Sequence, residues 1–407
     1  MSTLTTLLNV DEVLARLLAH ARRPQQIEQC PLLNALGRVL AQPLIAPHPI
    51  PPTDNSAMDG YALRLDDLAT QGSTTLPISQ RITAGDIPVE LAANSVARIF
   101  TGASIPAGAD TVIAQEQSHL ESGRITFNIP SHIGQHIRRA GEDIEQGHAF
   151  LSAGYRIQPQ AMGLIAANGI ATIAVFRRLK VALLSTGNEL LMPGCALQNG
   201  KRYNANHFTL SGLLQALGCE IIDLGTIPDK LSTTLNALEA AATDADLIIS
   251  SGGVSVGEED HVKTAIEQLG ALNIWKLNIK PGKPLAFGEI NNTPFFGLPG
   301  NPVSLFVTFC LFARPYILRA QGIEQVQPQT IKIHAQFNHT KKGSRQEYLR
   351  SRLTTAEHGS EVAIFGKQGS GVLSSTVWAN SLTIIRPGSV ITAGDLVEVI
   401  PFNELIT

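Results

Sequence analysis

The stretch Leu247-Ile248-Ile249-Ser250-Ser251-Gly252-Gly253-Val254-Ser255-Val256-Gly257-Glu258-Glu259-Asp260 decides the fold of this chain. A short apolar run breaks into a serine and glycine turn, and helical spacing takes over from Val262 to Leu269. The pattern is strand, loop, helix, and it repeats outward. Upstream, apolar runs at Val181 to Leu184 and Ile221 to Leu224 alternate with helical spacing over Phe208 to Leu217 and Leu231 to Ala242. Downstream come runs at Trp275 to Ile279, Leu285 to Phe287 and Phe295 to Leu298. From Lys180 to about Gln321 the chain therefore reads as a βαβ domain, with parallel strands joined by right-handed helical crossovers.

On either side the pattern changes. From Gln329 to Phe402, short alternating runs are broken by Lys342-Gly343, His358-Gly359, Pro387-Gly388 and Ala393-Gly394-Asp395, which predicts a small all-β domain. Before residue 180, a proline-rich passage from Pro43 to Pro52 precedes predicted strands near Leu76 to Ile82, Val96 to Phe100, Thr111 to Ala114 and Arg124 to Phe127. These form one or two β-rich units. The Ala-Gly-Asp strings at 84–86 and 393–395 recur at no fixed period, so they read as shared turn chemistry rather than as repeats. At roughly 150 residues per domain, 407 residues hold about three domains.

Composition removes several classes of function. A net charge of −3 gives no basic excess to condense on nucleic acid or anionic lipid. A 44% hydrophobic share excludes a wholly disordered chain. Cys30, Cys195, Cys219 and Cys310 form no Cys-x-x-Cys pair, so neither a zinc ribbon nor a disulfide framework is available, and a reducing cytoplasm fits best. Asp11, Glu12 and Arg16 interrupt the leucines of the N-terminal segment, which reads as an amphipathic surface helix rather than a signal peptide. Val303 to Ala313, the most apolar later stretch, is about half the roughly 20 residues that span a bilayer, and reads as a buried helix. No membrane partner is expected.

In an open α/β sheet, ligands gather beyond the carboxyl ends of the strands. Five loops are placed there: Ser185 to Glu189, Gly225 to Asp229, Ser250 to Asp260, Lys280 to Pro284 and Gly297 to Pro302. Any one of them is an ordinary turn, but five at one edge favour a site. Gly252 and Gly253 let backbone N–H groups approach a phosphate, and the hydroxyls of Ser250, Ser251 and Ser255 add neutral donors. Asn301 suits an N-cap and Pro302 the first helical turn, so that helix would turn its positive end to the same edge. Lys280 and Lys283 flank a rigid Pro-Gly, which needs an anion or a carboxylate between them unless both are solvated. Glu189, Asp229 and Asp260 end or follow three different strands; they either converge on a hard cation such as Mg²⁺ or, for the two aspartates, cap helices. A second polar constellation, Asp54-Asn55-Ser56-Ala57-Met58-Asp59-Gly60-Tyr61, lies far upstream, with Phe100-Thr101-Gly102 ending a strand of the same unit.

In this order, the Asp54 to Tyr61 motif, Ser250 to Gly257, Lys280-Pro281-Gly282-Lys283-Pro284, Gly297 to Ser304, Gln368-Gly369-Ser370-Gly371 and Ala379 to Leu382 resemble the MoeA-type molybdopterin molybdenumtransferases, including the gephyrin E domain. The resemblance implies an α/β and β multidomain architecture. Its parts would be a linking region (1–45 and 145–178), an inserted β-rich domain (46–144), a MogA-like α/β molybdopterin-binding domain (179–325) and a C-terminal β-barrel (326–407). It further implies a homodimer with the site between subunits and insertion of molybdenum from molybdate into adenylylated molybdopterin with release of AMP, the final step of molybdenum cofactor biosynthesis. Mg²⁺ would be the helper metal, with molybdopterin adenylyltransferase and molybdoenzyme acceptors as further partners.

Carried over by motif, the functional positions are Asp59, Thr101, Glu189, Asp229, Asp260, Lys276, Lys280 and Ser370, with Glu189, Asp229 and Asp260 as metal ligands. Ser250, Gly252, Gly253, Ser255, Lys283, Pro299, Gly300 and Asn301 would bind substrate. Three positions depart from the pattern: Asn188 where Asp is usual, Ala205 where Ser or Thr is usual, and Thr53 where an aromatic is common. Two competing readings are a molybdopterin adenylyltransferase, which shares the α/β domain but not the Asp59 motif, and a noncatalytic scaffold, which has little need of the acidic set.

Overall fold

The protein is described by a computed structural model covering residues 7–23, 26–69, 72–127, 131–252, 261–356 and 359–406. Its centre is a six-stranded sheet in the order 220–227, 180–186, 247–251, 293–298, 284–290, 270–276. The first four strands are parallel, and the helices Ala205–Ala216 and Leu231–Asp244 make the crossovers. Every residue of Leu247–Ser251 is buried, as a strand covered on both faces requires.

One strand departs from the expected parallel arrangement, so the last two pairings of the sheet are antiparallel. Pro284–Ile290 runs antiparallel to both Thr293–Leu298 and Gly270–Lys276. The reason is local: Asn291 and Asn292, at φ 47° and 69°, make a two-residue hairpin turn, and a link that short cannot carry a crossover. The edge strand also begins at Gly270, directly after the helix His261–Leu269, so the apolar run at Trp275 to Ile279 straddles its end.

Beneath this sheet lies a continuous helix, Pro302–Ala320, with a π-turn at Phe309–Ala313. It is nearly twice as long as the apolar run that announced it, and 94% of its apolar window is buried in the core. The N-terminal helix Val10–Ala19 places Val13 and Leu17 in that same core, so this part of the linking segment is docked on the α/β domain. Just before it, Leu8 pairs with Leu277 beside the lysine loop.

The inserted unit is a six-stranded sheet, 111–114, 60–63, 96–99, 74–82, 124–127, 118–121, with a small apolar core on each face. In the C-terminal unit, strand 346–356 pairs with both 359–364 and 381–385, while 331–335 and 396–401 complete the ring, giving a closed five-stranded barrel. A two-residue strand of the α/β domain, Ile279–Lys280, adds to its outside in parallel with Gln346 and Glu347.

Candidate active site

Above the carboxyl edge of the central sheet is a cavity of about 670 Å³. Glu189, Gly252, Lys280, Lys283, Pro299, Gly300 and Asn301 line it from the α/β domain, and Ser370 reaches it from the barrel. These are eight of the positions read from sequence, brought together from five separate segments. Four more side chains share the wall: Arg202 and Arg345, which the sequence reading missed, and Ser304 and Gln368, which lie in motifs quoted above but were not assigned to the site. Among the described residues the charged lining is therefore one carboxylate against four cations, a wall built for an anion.

The lysine loop is set by packing and by pairing. Gly282 has φ 97°, and a Cβ there would lie 2.8 Å from Thr308 Oγ1, so the loop lies directly on the buried helix. The Lys280 ammonium donates to Glu347 Oε2 at 3.0 Å. Glu347 is a carboxylate partner for the first of the two lysines, and it comes from the barrel. No spacing in the sequence pointed to it.

Asn301 sits at the N-cap but makes no cap hydrogen bond with its side chain. The carbonyl of Ser370 instead accepts from the Val303 N–H at 3.0 Å, leaving the Asn301 side chain to the cavity wall. The Ser370 loop is held from behind by Arg350, a fully buried guanidinium that donates to the Gly369 carbonyl and to Ser375 Oγ. Burial pushes the Arg350 pKa down to about 10.

The described hydroxyls of the glycine loop, Ser250 and Ser251, turn inward rather than toward the cavity. Ser250 is fully buried and donates to the Gly252 carbonyl at 3.1 Å; Ser251 Oγ accepts from Asn206 Nδ2. Asn206 also donates to the Gly300 carbonyl at 2.8 Å and so ties two site loops together. Gly253, Ser255 and Asp260 lie outside the described residues.

Among the described acids, only Glu189 is on the wall. Asp229 stands on the adjoining loop, where its N–H donates to Asn188 Oδ1 at 3.3 Å. It does not cap the following helix, whose N-cap is Lys230. Among the described residues no three His, Cys, Asp or Glu side chains form a metal cluster. Lys276, exposed at the end of the edge strand, is off the wall, and its carbonyl accepts from the Leu8 N–H.

Asp59 and Thr101 meet in the inserted domain, away from this cavity. Asp59 Oδ1 accepts both the N–H and the hydroxyl of Thr101, at 2.8 and 2.9 Å, and these two donors hold its carboxyl below the usual carboxylate range. Arg98 stacks over Tyr61 and Phe100 and donates to the Gly60 carbonyl, fixing the same corner. Asp54 is also held low, by the Ala140 N–H and by Arg139.

Three family descriptions match successive parts of the chain: MoeA N-terminal region (domain I and II) over residues 8–169, probable molybdopterin binding domain over 182–319, and MoeA C-terminal region (domain IV) over 332–402. A "Molybdopterin molybdenumtransferase" of Haemophilus influenzae is 43% identical, covering 98% of this chain and all of that protein. The chain belongs to the MoeA family. Another member, "Molybdopterin molybdenumtransferase 2" of Mycobacterium tuberculosis, is 33% identical over 96% of both chains. A crystal structure of the MoeA protein from Pyrococcus horikoshii matches with a TM-score of 0.83 at 28% identity, over 97% of this chain and all of that one. The MoeA fold is thus shared along the whole length.

Proposed function

We propose that this protein inserts molybdenum from molybdate into adenylylated molybdopterin and releases AMP, the final step of molybdenum cofactor biosynthesis. The observation that carries this reading is the cavity whose wall sets Lys280, Lys283, Arg202 and Arg345 against the carboxylate of Glu189. A phosphoanhydride and an oxyanion substrate both need such a wall. Water adds to phosphorus, the bridging P–O bond breaks, AMP leaves, and the pterin keeps its own phosphate. The lysines and Arg345 neutralise charge on the phosphates, and the glycine loop offers backbone N–H groups. The substrate's dithiolene sulfurs are the soft ligands that take molybdenum, so the protein needs none of its own.

Mg²⁺ suits the donors present. Glu189 and Asp229 offer hard oxygen on adjoining loops joined through Asn188, and Asp260 follows the glycine loop in sequence. When bound, the ion would draw charge from the phosphate oxygens. The acids would hold the ion and orient the attacking water.

What one chain leaves incomplete supports a homodimer. The Asp59–Thr101 pair is fully formed yet stands apart from the cationic wall, and it would enter the cavity of a partner chain as base or metal partner. Exposed apolar residues of the linking region, Leu33 at 91% and Leu36 at 55%, support such an interface. Free cysteines support a cytoplasmic site of action, with molybdopterin adenylyltransferase supplying the substrate and molybdoenzymes accepting the product.

The decisive assay mixes purified protein with adenylylated molybdopterin, with and without molybdate. Molybdate-dependent release of AMP is expected. AMP-ylation of free molybdopterin from ATP would instead identify an adenylyltransferase.

A further inference from the structure

We propose that Glu347 is a positioning residue for this reaction: from the barrel, it aims the Lys280 ammonium and tempers the positive charge of the cavity wall. The geometry is specific. Glu347 Oε2 accepts from Lys280 Nζ at 3.0 Å, with the carboxylate 8% exposed and the ammonium side chain 45% exposed. The acid therefore stands behind and the cation in front, toward the cavity.

Three backbone features and one side-chain hydrogen bond, from Arg345, keep the acid there. Lys280 and Glu347 are register partners across the parallel pair of short strands. Gln346 N–H donates to the Asn278 carbonyl at 3.0 Å, and Arg345 donates to the Ile279 carbonyl at 3.1 Å. A Cβ on Gly343 would come within 2.8 Å of Glu347 Oε1, so the glycine leaves the carboxylate its place. The α/β domain thus carries the reactive cation, and a different domain fixes where it points.

Two consequences separate this role from simple packing. A buried negative charge behind Lys280 repels a phosphate bound in front, so it weakens the hold on AMP and favours its release. A pinned ammonium serves the reacting phosphate only while its partner is present. The proposal uses the molybdenum-insertion reading for its turnover measurement, but not for its binding measurement.

The test is a double-mutant cycle of Glu347→Gln and Lys280→Met, read by calorimetry with AMP as probe and by AMP release from adenylylated molybdopterin. Glu347→Gln is expected to bind AMP several-fold more tightly and to turn over roughly 10- to 100-fold more slowly, the loss that a misplaced catalytic group brings. In the Lys280→Met background it should leave turnover unchanged. Glu347→Asp, which keeps the charge but shortens its reach, should lose turnover with AMP affinity near that of the parent. Turnover losses that multiply, or weaker AMP binding by Glu347→Gln, overturn the proposal. A parent protein that binds AMP but never releases it from the adenylylated substrate would refute the function alone. The binding arm then decides: tighter binding supports the role of Glu347, and unchanged or weaker binding ends it.

Discussion

The Lys280 loop and the Asp59 loop carry opposite charges, and they are held in opposite ways. Asp59 is satisfied within its own domain, by the N–H and hydroxyl of Thr101. Lys280 is satisfied across domains, by Glu347 on the barrel and by packing of Gly282 on the buried helix. A locally built corner can be altered without loosening the rest of the molecule. A corner shared between domains cannot.

The largest expected effect is on turnover. Asp59→Asn and Lys280→Met should each lower AMP release by about 10²- to 10³-fold, the range for loss of a catalytic base or of a key electrostatic group. Lys280→Met should also lower stability, by about 1–2 kcal/mol, because it leaves Glu347 buried and unpaired while Lys280 itself is nearly half exposed; Asp59→Asn, which keeps an oxygen for both Thr101 donors, should lower it much less. Equal thermal unfolding of the two variants would break the comparison. Mixing the two inactive variants sharpens it. If Asp59 of one chain serves the cavity of its partner, mixed dimers contain one intact site and regain activity, whereas sites built within one chain regain none.

A smaller contrast concerns glycine. Gly282 at φ 97° and Gly102 at φ 80° are both left-handed, but a Cβ meets Thr308 only at Gly282 and meets nothing within 4 Å at Gly102. Gly282→Ala should cost about 2–4 kcal/mol and Gly102→Ala about 1 kcal/mol, measured by urea unfolding. Comparable losses would show that the lysine loop is not pressed on the helix.

The smallest effect is on acid stability. Asp59 and Asp54 titrate below the ordinary carboxylate range when folded, so the unfolded chain binds more protons in the window between the two values. Their contribution is complete above about pH 4 and is lost as pH falls through the lowered values. Thr101→Val removes one donor to Asp59, so its carboxylate resonance should titrate at higher pH than in the parent, with Asp54 unmoved.

Much of the fold was legible because burial imposes periods. The runs at Val181, Leu247 and Phe295 are strands because a sheet covered on both faces needs unbroken apolar residues. The Asn291-Asn292 hairpin was missed because two antiparallel runs look the same as two parallel ones until the link between them is considered. At the site, loop chemistry pointed to Glu189, Lys280 and Lys283, and the family resemblance to Ser370. It gave no sign of Glu347, Arg345, Arg202 or Asn206, whose importance arises from what they touch rather than from what surrounds them in the chain. Ser250 shows the converse. Its composition suggested a ligand donor, and its burial turned the hydroxyl to Gly252.

Sequence alone determined where strands and helices run and which loops carry charge, because side-chain period and turn residues act over a few positions. Tertiary structure decided that strand 346–356 closes a barrel by pairing on both edges, that the N-terminal helix docks on the α/β core, and that Lys280 finds its carboxylate 67 residues away. Such contacts join segments with no local relation, and only the packing of whole domains brings their charges within reach of one another.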